Sequence, residues 1–211
     1  MTAKTDTIIL IHGLWMRGLV LLAQQHWLRA EGFGVRRFSY PSWRGGLADN
    51  VRLLSHFVDS TPGTSIHLVA HSLGGLVVLK MLSQKSDPRI QRIIVLGTPF
   101  AGCHGGASLA SIPLLNALVG HTLEDWSSQS RPSLPPTVEI GVIAGTRSFG
   151  IGRLIPGLPW PNDGVVAVDE THIAEARDSI AMEVSHSGML VCRACAGQIT
   201  HFLRNGCFVH A

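Results

Sequence analysis

The side chain with the clearest capacity for chemistry is Ser72, which has a small residue two positions away on each side, Ala70 and Gly74. An apolar segment precedes this motif at 66–69, and a second follows it at 76–79. On a sharp strand-to-helix turn the serine hydroxyl projects from the sheet, and small flanking residues let the strand and the helix approach each other. The N–H groups after the serine then lie at a helix N-terminus, where negative charge is favoured. The motif predicts a nucleophilic serine, although five-residue patterns of this kind also arise in turns without a catalytic role.

A serine hydroxyl is a weak nucleophile and needs a neighbouring base. The chain contains 11 histidines, so position must decide among them: the base is expected after Ser72, in a loop just past a strand. His186 meets both conditions, because it follows the segment predicted as the last strand, 179–184, and precedes the last helix. His71 adjoins the serine, but the turn is expected to direct its side chain elsewhere. His12 is better placed for a structural role in the first loop.

The base in turn needs an acid that orients it. This acid is expected between Ser72 and His186, after the strand that precedes the last one. Asp163 lies there, in an Asp-Gly turn, although such turns are also common where no catalysis occurs. Asp169 and Glu170, a few residues further on, are the alternative acids.

Negative charge that develops on a substrate oxygen needs two backbone N–H donors. The N–H of Leu73, directly after the serine, is expected to be one of them. The loop after the first strand, His12-Gly13-Leu14, suits the second, because Gly13 lets the backbone turn its amides inward. We therefore predict the N–H groups of Leu14 and Leu73 as the oxyanion hole.

The elements that position these residues follow from the apolar pattern of the 211-residue chain. Continuous apolar runs are typical of parallel strands that are covered on both faces. Such a run predicts a strand at 7–11, and further strands are predicted at 35–40, 66–69, 90–96, 138–144 and 179–184. Helical spacing predicts helices at 19–31, at 48–58, directly after the serine and at 188–203. Strands that alternate with helices indicate a doubly wound, mostly parallel α/β sheet.

The segment 100–137 is longer than a simple crossover between two strands needs. Because it follows the carboxyl end of a strand, we predict that it is a lid or a pocket wall over the site. A crossover helix packed on the sheet is the alternative. The loop at 147–161 is a second candidate wall. Three side chains are predicted to contact the substrate: Trp15, Phe100 and Leu115.

Composition excludes several classes of protein. Hydrophobic residues make up 45% of the chain and charged residues 15%, which favours a buried core over disorder. The net charge is +3, but the basic residues are scattered, so nucleic-acid binding is not expected. The N-terminus has no signal-peptide layout and no apolar run reaches ~18 residues, so a cytoplasmic location is expected. The four cysteines form no disulfide framework and no metal site is predicted.

These motifs together resemble the α/β-hydrolase superfamily, and within it the bacterial lipase and esterase branch. They are His12-Gly13-Leu14-Trp15, Ala70-His71-Ser72-Leu73-Gly74-Gly75, Gly97-Thr98-Pro99-Phe100, Asn162-Asp163-Gly164-Val165-Val166 and Ser185-His186-Ser187-Gly188. The order serine, acid, histidine is that of α/β-hydrolases, and Ala70 is similar to the small Bacillus-type lipases. The resemblance implies one α/β-hydrolase domain over 1–211 that hydrolyses carboxylic esters through an acyl-enzyme without a cofactor. Some larger lipases of this kind carry a structural calcium. This sequence has no acidic cluster that indicates a calcium site.

Two further functions are compatible with the same sequence. A non-catalytic α/β-hydrolase-fold protein would bind a small ligand without turnover, and an amidase or thioesterase would use the same three residues. The expected partner is a small-molecule acyl ester. If 109–119 forms a mobile lid, transient contact with a membrane or another lipid surface is also expected.

Overall fold

The computed structural model describes residues 6–102, 122, 125–126, 132–149 and 157–210. Within these ranges six strands form one sheet in the order β2-β1-β3-β4-β5-β6, and each neighbouring pair is parallel. The strands are β1 (Thr7–Ile11), β2 (Gly34–Phe38), β3 (Ile66–His71), β4 (Ile90–Leu96), β5 (Glu139–Gly145) and β6 (Asp178–Met182). The doubly wound α/β sheet predicted from the sequence is confirmed.

Helices cover both faces of the sheet, which is why the central strands are apolar on both sides. The described helices are α1 (Leu22–Ala30), α2 (Leu47–Asp59), α3 (Leu73–Gln84) and α4 (Arg193–Asn205). On one face, β3 contributes Leu68 to a core shared with α2 and α3. On the other face, Val69 packs in a core with α1 and α4. The alternation of neighbouring side chains across β3 thus connects the two layers.

The helix boundaries differ from the sequence expectation at two places. The predicted helix 19–31 begins as a 3₁₀ turn at Gly18–Leu21 and continues as α1. The predicted helix 188–203 likewise divides into a 3₁₀ turn at Ser187–Val191 and α4. Apolar spacing of three and four residues suits both helix types in short pieces, so the pattern does not separate them. Helix α4 is followed by Gly206, whose φ of 75° is the left-handed conformation typical of a helix C-terminus.

Little of the segment predicted as a lid or wall is described. Leu115 and the 109–119 stretch lie outside the described residues, so their predicted roles stay predictions. The described positions pack onto the rest of the fold: Thr122 accepts a hydrogen bond from Nδ2 of Asn50 at 2.8 Å, and an Asp125 carboxylate oxygen accepts one from the N–H of Leu47 at 2.8 Å. Trp126 is buried. This part of the segment is therefore anchored to the N-terminal end of α2 and to the core.

Candidate functional site

Ser72 lies on the turn between β3, which ends at His71, and α3, which begins at Leu73. Its φ and ψ are 54° and −126°, a region that costs a residue with a Cβ on the order of 1–3 kcal/mol. The surrounding structure holds this conformation: the Ser72 N–H donates to the carbonyl of Leu96 at 2.8 Å, and the Thr98 hydroxyl donates to the Ser72 carbonyl at 3.0 Å. The predicted sharp turn is present, and its backbone is strained.

The small residues of the motif bring three segments together around Ser72. A Cβ on Gly74 would lie 2.5 Å from the carbonyl oxygen of His12, so no larger residue fits there without a shift of the backbone. A Cβ on Gly13 would lie 3.0 Å from the Cβ of Ser72. The loop after β1 is therefore in close contact with the start of α3 and with the serine, as the sequence predicts.

A hydrogen-bond network around His12 orients this first loop. Nδ1 of His12 lies 2.9 Å from the Gly13 carbonyl oxygen, which only accepts, so Nδ1 carries the proton. Nε2 accepts from the N–H of Tyr40 at 3.3 Å. In a trans peptide the C=O and the following N–H point in opposite directions. With the Gly13 carbonyl turned toward the His12 ring, the Leu14 N–H therefore points away from it. Burial lowers the pKa of His12, which maintains this neutral form.

Asp163 and His186 form a buried pair. Nδ1 of His186 donates to Oδ2 of Asp163 at 2.7 Å, and both side chains are at most 8% exposed. The other carboxylate oxygen of Asp163 accepts from the N–H groups of Val165 and Val166 at 2.9 and 2.8 Å. A backbone bond from the His186 N–H to the Asp163 carbonyl, at 2.9 Å, adds to the pair. Because Nδ1 carries the bonded proton, Nε2 is the ring nitrogen that can accept one.

Gly97, directly after β4, makes room for this pair. A Cβ at position 97 would lie 2.9 Å from Oδ2 of Asp163 and 3.1 Å from Nδ1 of His186. The φ of Gly97 is 55°, which also favours glycine. Gly145, at the end of β5, has a similar role, since a Cβ there would lie 2.7 Å from the Cβ of Asp163. From the sequence, Gly97 was included only as part of the Gly97-Thr98-Pro99-Phe100 motif, and Gly145 was given no role. The available signal was a glycine at the end of two successive strands.

His71 is buried beside the pair, with 1% of its surface exposed. Its Nε2 lies 3.0 Å from the backbone carbonyl oxygen of His186, and the two rings are 4.6 Å apart between centroids. Burial, with a smaller contribution from the neighbouring His186, lowers the pKa of His71 to about 3. The contact of His71 with His186 was not foreseen from the sequence.

Lowering the pH from 7 to 5 is expected to reduce the free energy of unfolding. The pKa of His71 is about 3 in the folded chain, against an ordinary value of 6.5. Its contribution to stability is therefore complete above pH 6.5 and is lost as the pH falls toward 3, because the unfolded chain takes up the proton first. His71 alone accounts for a loss of about 2 kcal/mol between pH 7 and 5. Urea unfolding at several pH values measures this loss, and His71→Gln should flatten the slope; equal slopes would contradict the prediction.

The remaining residues with predicted roles differ in how much of their side chains is exposed. Trp15 is 50% exposed and has a positive φ of 57°. Among the described non-glycine residues, Trp15 and Ser72 are the two with a positive φ. Phe100 is buried and packs on Trp126, with ring centroids 5.6 Å apart. This contact gives Phe100 a place in the core, while its contact with a substrate stays a prediction. The carboxylate of Glu170, an alternative acid, accepts from the N–H of Ala167 at 2.7 Å.

The described residues contain neither a metal-binding cluster nor a membrane-spanning helix. Among these residues, no three His, Cys, Asp or Glu side chains are grouped so that they could hold a metal ion. No helix in the same part of the chain is both long and apolar enough to cross a bilayer.

The sheet, the strained serine turn and the Asp163–His186 pair agree with the comparison to known families. Residues 8–198 match the alpha/beta hydrolase family. The chain belongs to this family, which confirms the class indicated by the sequence motifs. No curated protein matches the sequence.

Solved structures share the fold at low sequence identity. A Bacillus licheniformis lipase in its propeptide form superposes with a TM-score of 0.81 at 15% identity, over 99% of this chain and 51% of the lipase. A metagenomic carboxyl esterase gives 0.65 at 18% identity, over 88% of this chain and 65% of the esterase. A lipase-esterase related protein from Clostridium acetobutylicum gives 0.66 at 12% identity, over 98% and 96% of the two chains. The chain thus spans about half the length of the Bacillus licheniformis lipase.

Proposed function

We propose that this protein is a serine hydrolase that cleaves small-molecule carboxylic (acyl) esters through an acyl-enzyme intermediate. The observation that carries the proposal is the 2.7 Å contact between His186 and Asp163, next to the strained turn that presents Ser72. A partly exposed hydroxyl, a buried carboxylate and an imidazole, in this chain order, are the parts that acyl transfer requires.

In the first half of the reaction, Ser72 Oγ attacks the ester carbonyl carbon while Nε2 of His186 takes the hydroxyl proton. The Asp163 carboxylate stabilises the imidazolium that forms and keeps the ring in the tautomer with a proton on Nδ1. When the tetrahedral intermediate collapses, the carbon–oxygen bond to the alcohol breaks and His186 returns the proton to the leaving alkoxide. The acyl group is then bonded to Ser72.

In the second half, a water molecule takes the place of the alcohol. His186 accepts a proton from the water, the hydroxide attacks the acyl carbon, and the proton returns to Ser72 Oγ as the carboxylic acid leaves. In both halves the oxyanion accepts hydrogen bonds from the N–H groups of Leu73 and Leu14. Leu73 is the first residue of α3, so its N–H has no acceptor within the helix. The Gly13 carbonyl faces the His12 ring, so the Leu14 N–H faces away from that ring and is free of this contact.

The similar structures support an ester as the substrate class. The three proteins compared above are named as a lipase, a carboxyl esterase and a lipase-esterase related protein. A polyneuridine aldehyde esterase shares the fold as well, with a TM-score of 0.66 at 11% identity. Because one fold hosts several chemistries, this support concerns the class of reaction and not the acyl group.

A fluorophosphonate probe tests the nucleophile directly. We expect one equivalent of label on native protein, on Ser72, because the probe reacts with a serine that a base activates. Ser72→Ala should abolish labelling. Ser83→Ala is the matched control, since Ser83 lies on α3, the helix that follows Ser72, is exposed and donates to the Lys80 carbonyl. Native protein that takes no label on Ser72 would contradict the proposal.

A panel of p-nitrophenyl esters, matched thioesters and matched amides then defines the substrate class. We expect the highest kcat/KM for the esters. Turnover of amides or thioesters in preference to esters would retain the mechanism but overturn the ester assignment. Binding of these compounds without turnover of any would indicate a ligand-binding protein.

A further inference from the structure

We propose that His71 is a positioning residue for His186: its Nε2–H holds the backbone of the base in place relative to Ser72. The inference rests on the proposed function and deepens it, because it identifies the side chain that sets the distance between nucleophile and base.

The geometry makes His71 a direct connection between the two loops. His71 precedes Ser72 in the chain, and its Nε2 lies 3.0 Å from the carbonyl oxygen of His186. A carbonyl oxygen only accepts hydrogen bonds, so Nε2 must carry the proton and donate it. Consecutive Cα atoms are ~3.8 Å apart. One side chain with two rotatable bonds therefore ties the backbone of the base to the residue next to the nucleophile.

The surroundings of His71 restrict its movement. The side chain is 1% exposed, and its Nδ1 faces the first loop, where a Cβ on Gly13 would lie 3.0 Å away. The rings of His71 and His186 lie 4.6 Å apart with 53° between their planes. A shift of the His71 ring would therefore displace either the loop that carries Leu14 or the ring of His186.

The neutral state of His71 is part of this role. The titratable groups that face it are His186 and His12, and both lower its pKa, although burial is the larger cause. During attack by Ser72 the ring of His186 becomes positively charged. A second positive charge on His71 would oppose that change, whereas a neutral Nε2–H donor does not.

In the competing interpretation, His71 is a buried side chain that only fills space. The two interpretations predict that different substitutions of His71 are tolerated. Glutamine places an amide N–H near the position of Nε2, asparagine places one near Nδ1 and cannot reach the His186 carbonyl, and phenylalanine keeps a ring without a donor. A space-filling role favours phenylalanine. A positioning role favours glutamine.

The experiment measures kcat and KM for a p-nitrophenyl ester in native protein and in His71→Gln, His71→Asn and His71→Phe. We expect His71→Phe and His71→Asn to lower kcat by about 10²-fold, the effect of a displacement near 1 Å, with KM within about threefold. His71→Gln should recover kcat to within about tenfold of native. Circular dichroism and urea unfolding establish that the compared variants are folded.

Each outcome decides the proposal. A kcat for His71→Phe equal to or above that of His71→Gln would overturn it, as would a loss that appears only in KM. If His71→Phe does not fold, the pair His71→Gln and His71→Asn decides, and equal kcat values in these two would overturn it as well. Failure of the proposed function has a different signature: native protein would then lack both fluorophosphonate labelling and ester turnover.

Discussion

Ser72→Ala and His186→Ala will each lower kcat for p-nitrophenyl ester hydrolysis by at least about 10³-fold, and the double variant will be no slower than the worse single one. In the proposed mechanism Ser72 supplies the nucleophile and His186 the base that activates it, so either loss disables the same step. The effects therefore do not add. We expect the residual rate over water to come from the proposed backbone donors at Leu14 and Leu73, which neither substitution removes.

Steady-state kinetics on purified variants measures these effects, with two exposed residues as controls. Ser83→Ala on α3 and His26→Ala on α1 remove the same functional groups at exposed positions, and kcat should stay within about twofold of native. Ser72 has a strained φ of 54°, and alanine keeps the Cβ that causes the strain. Ser72→Ala should therefore not stabilise the fold by relieving it. A kcat for either catalytic variant within tenfold of native would refute the assigned roles.

Asp163→Asn is expected to lower kcat by about 10³- to 10⁴-fold at neutral pH while the fold is retained. One Asp163 oxygen accepts from the N–H groups of Val165 and Val166, and the amide oxygen of asparagine will take that position. The asparagine NH₂ then faces Nδ1 of His186. Since NH₂ only donates, Nδ1 must accept and the ring proton moves to Nε2. His186 in this tautomer cannot take the proton of Ser72.

The control for this prediction is Asp169→Asn, the alternative acid from the sequence. It should leave kcat within about threefold of native, because the contact at 2.7 Å to His186 belongs to Asp163. Full activity in Asp163→Asn together with a large loss in Asp169→Asn would assign the acid to Asp169. Thermal unfolding of both variants excludes loss of structure as the cause.

Much of the fold was predictable because its central strands are apolar on both faces. The continuous apolar run at 7–11 coincides with β1, and the segment 90–96, whose last four residues are apolar, coincides with β4. Short apolar segments of this kind are consistent with buried parallel strands. Strand ends elsewhere differ by a few residues, as with β2, predicted at 35–40 and observed at 34–38. Hydrophobicity marks burial, whereas the end of a strand depends on where its partner's hydrogen bonds end.

The contacts that were not predicted were missed for one physical reason. Gly97, Gly145 and His71 influence the site through groups more than 15 positions away in the chain, and a local pattern does not show which distant group each residue meets. The glycines matter through the space that a Cβ would occupy near Asp163. His71 matters through a backbone carbonyl, and a carbonyl is present at every position of every sequence.

By itself the sequence determined the class of fold, the strained serine turn and the order of the candidate residues, because these depend on local periodicity and on small residues at fixed spacing. Three acids remained open, however: Asp163, Asp169 and Glu170. Only the tertiary structure brought Asp163 to 2.7 Å from His186 and His71 to the carbonyl behind it. The reason is that parallel strands bring residues from distant parts of the chain to one edge of the sheet. Which of these residues meet depends on the register of the strands and on the conformation of the loops that follow them.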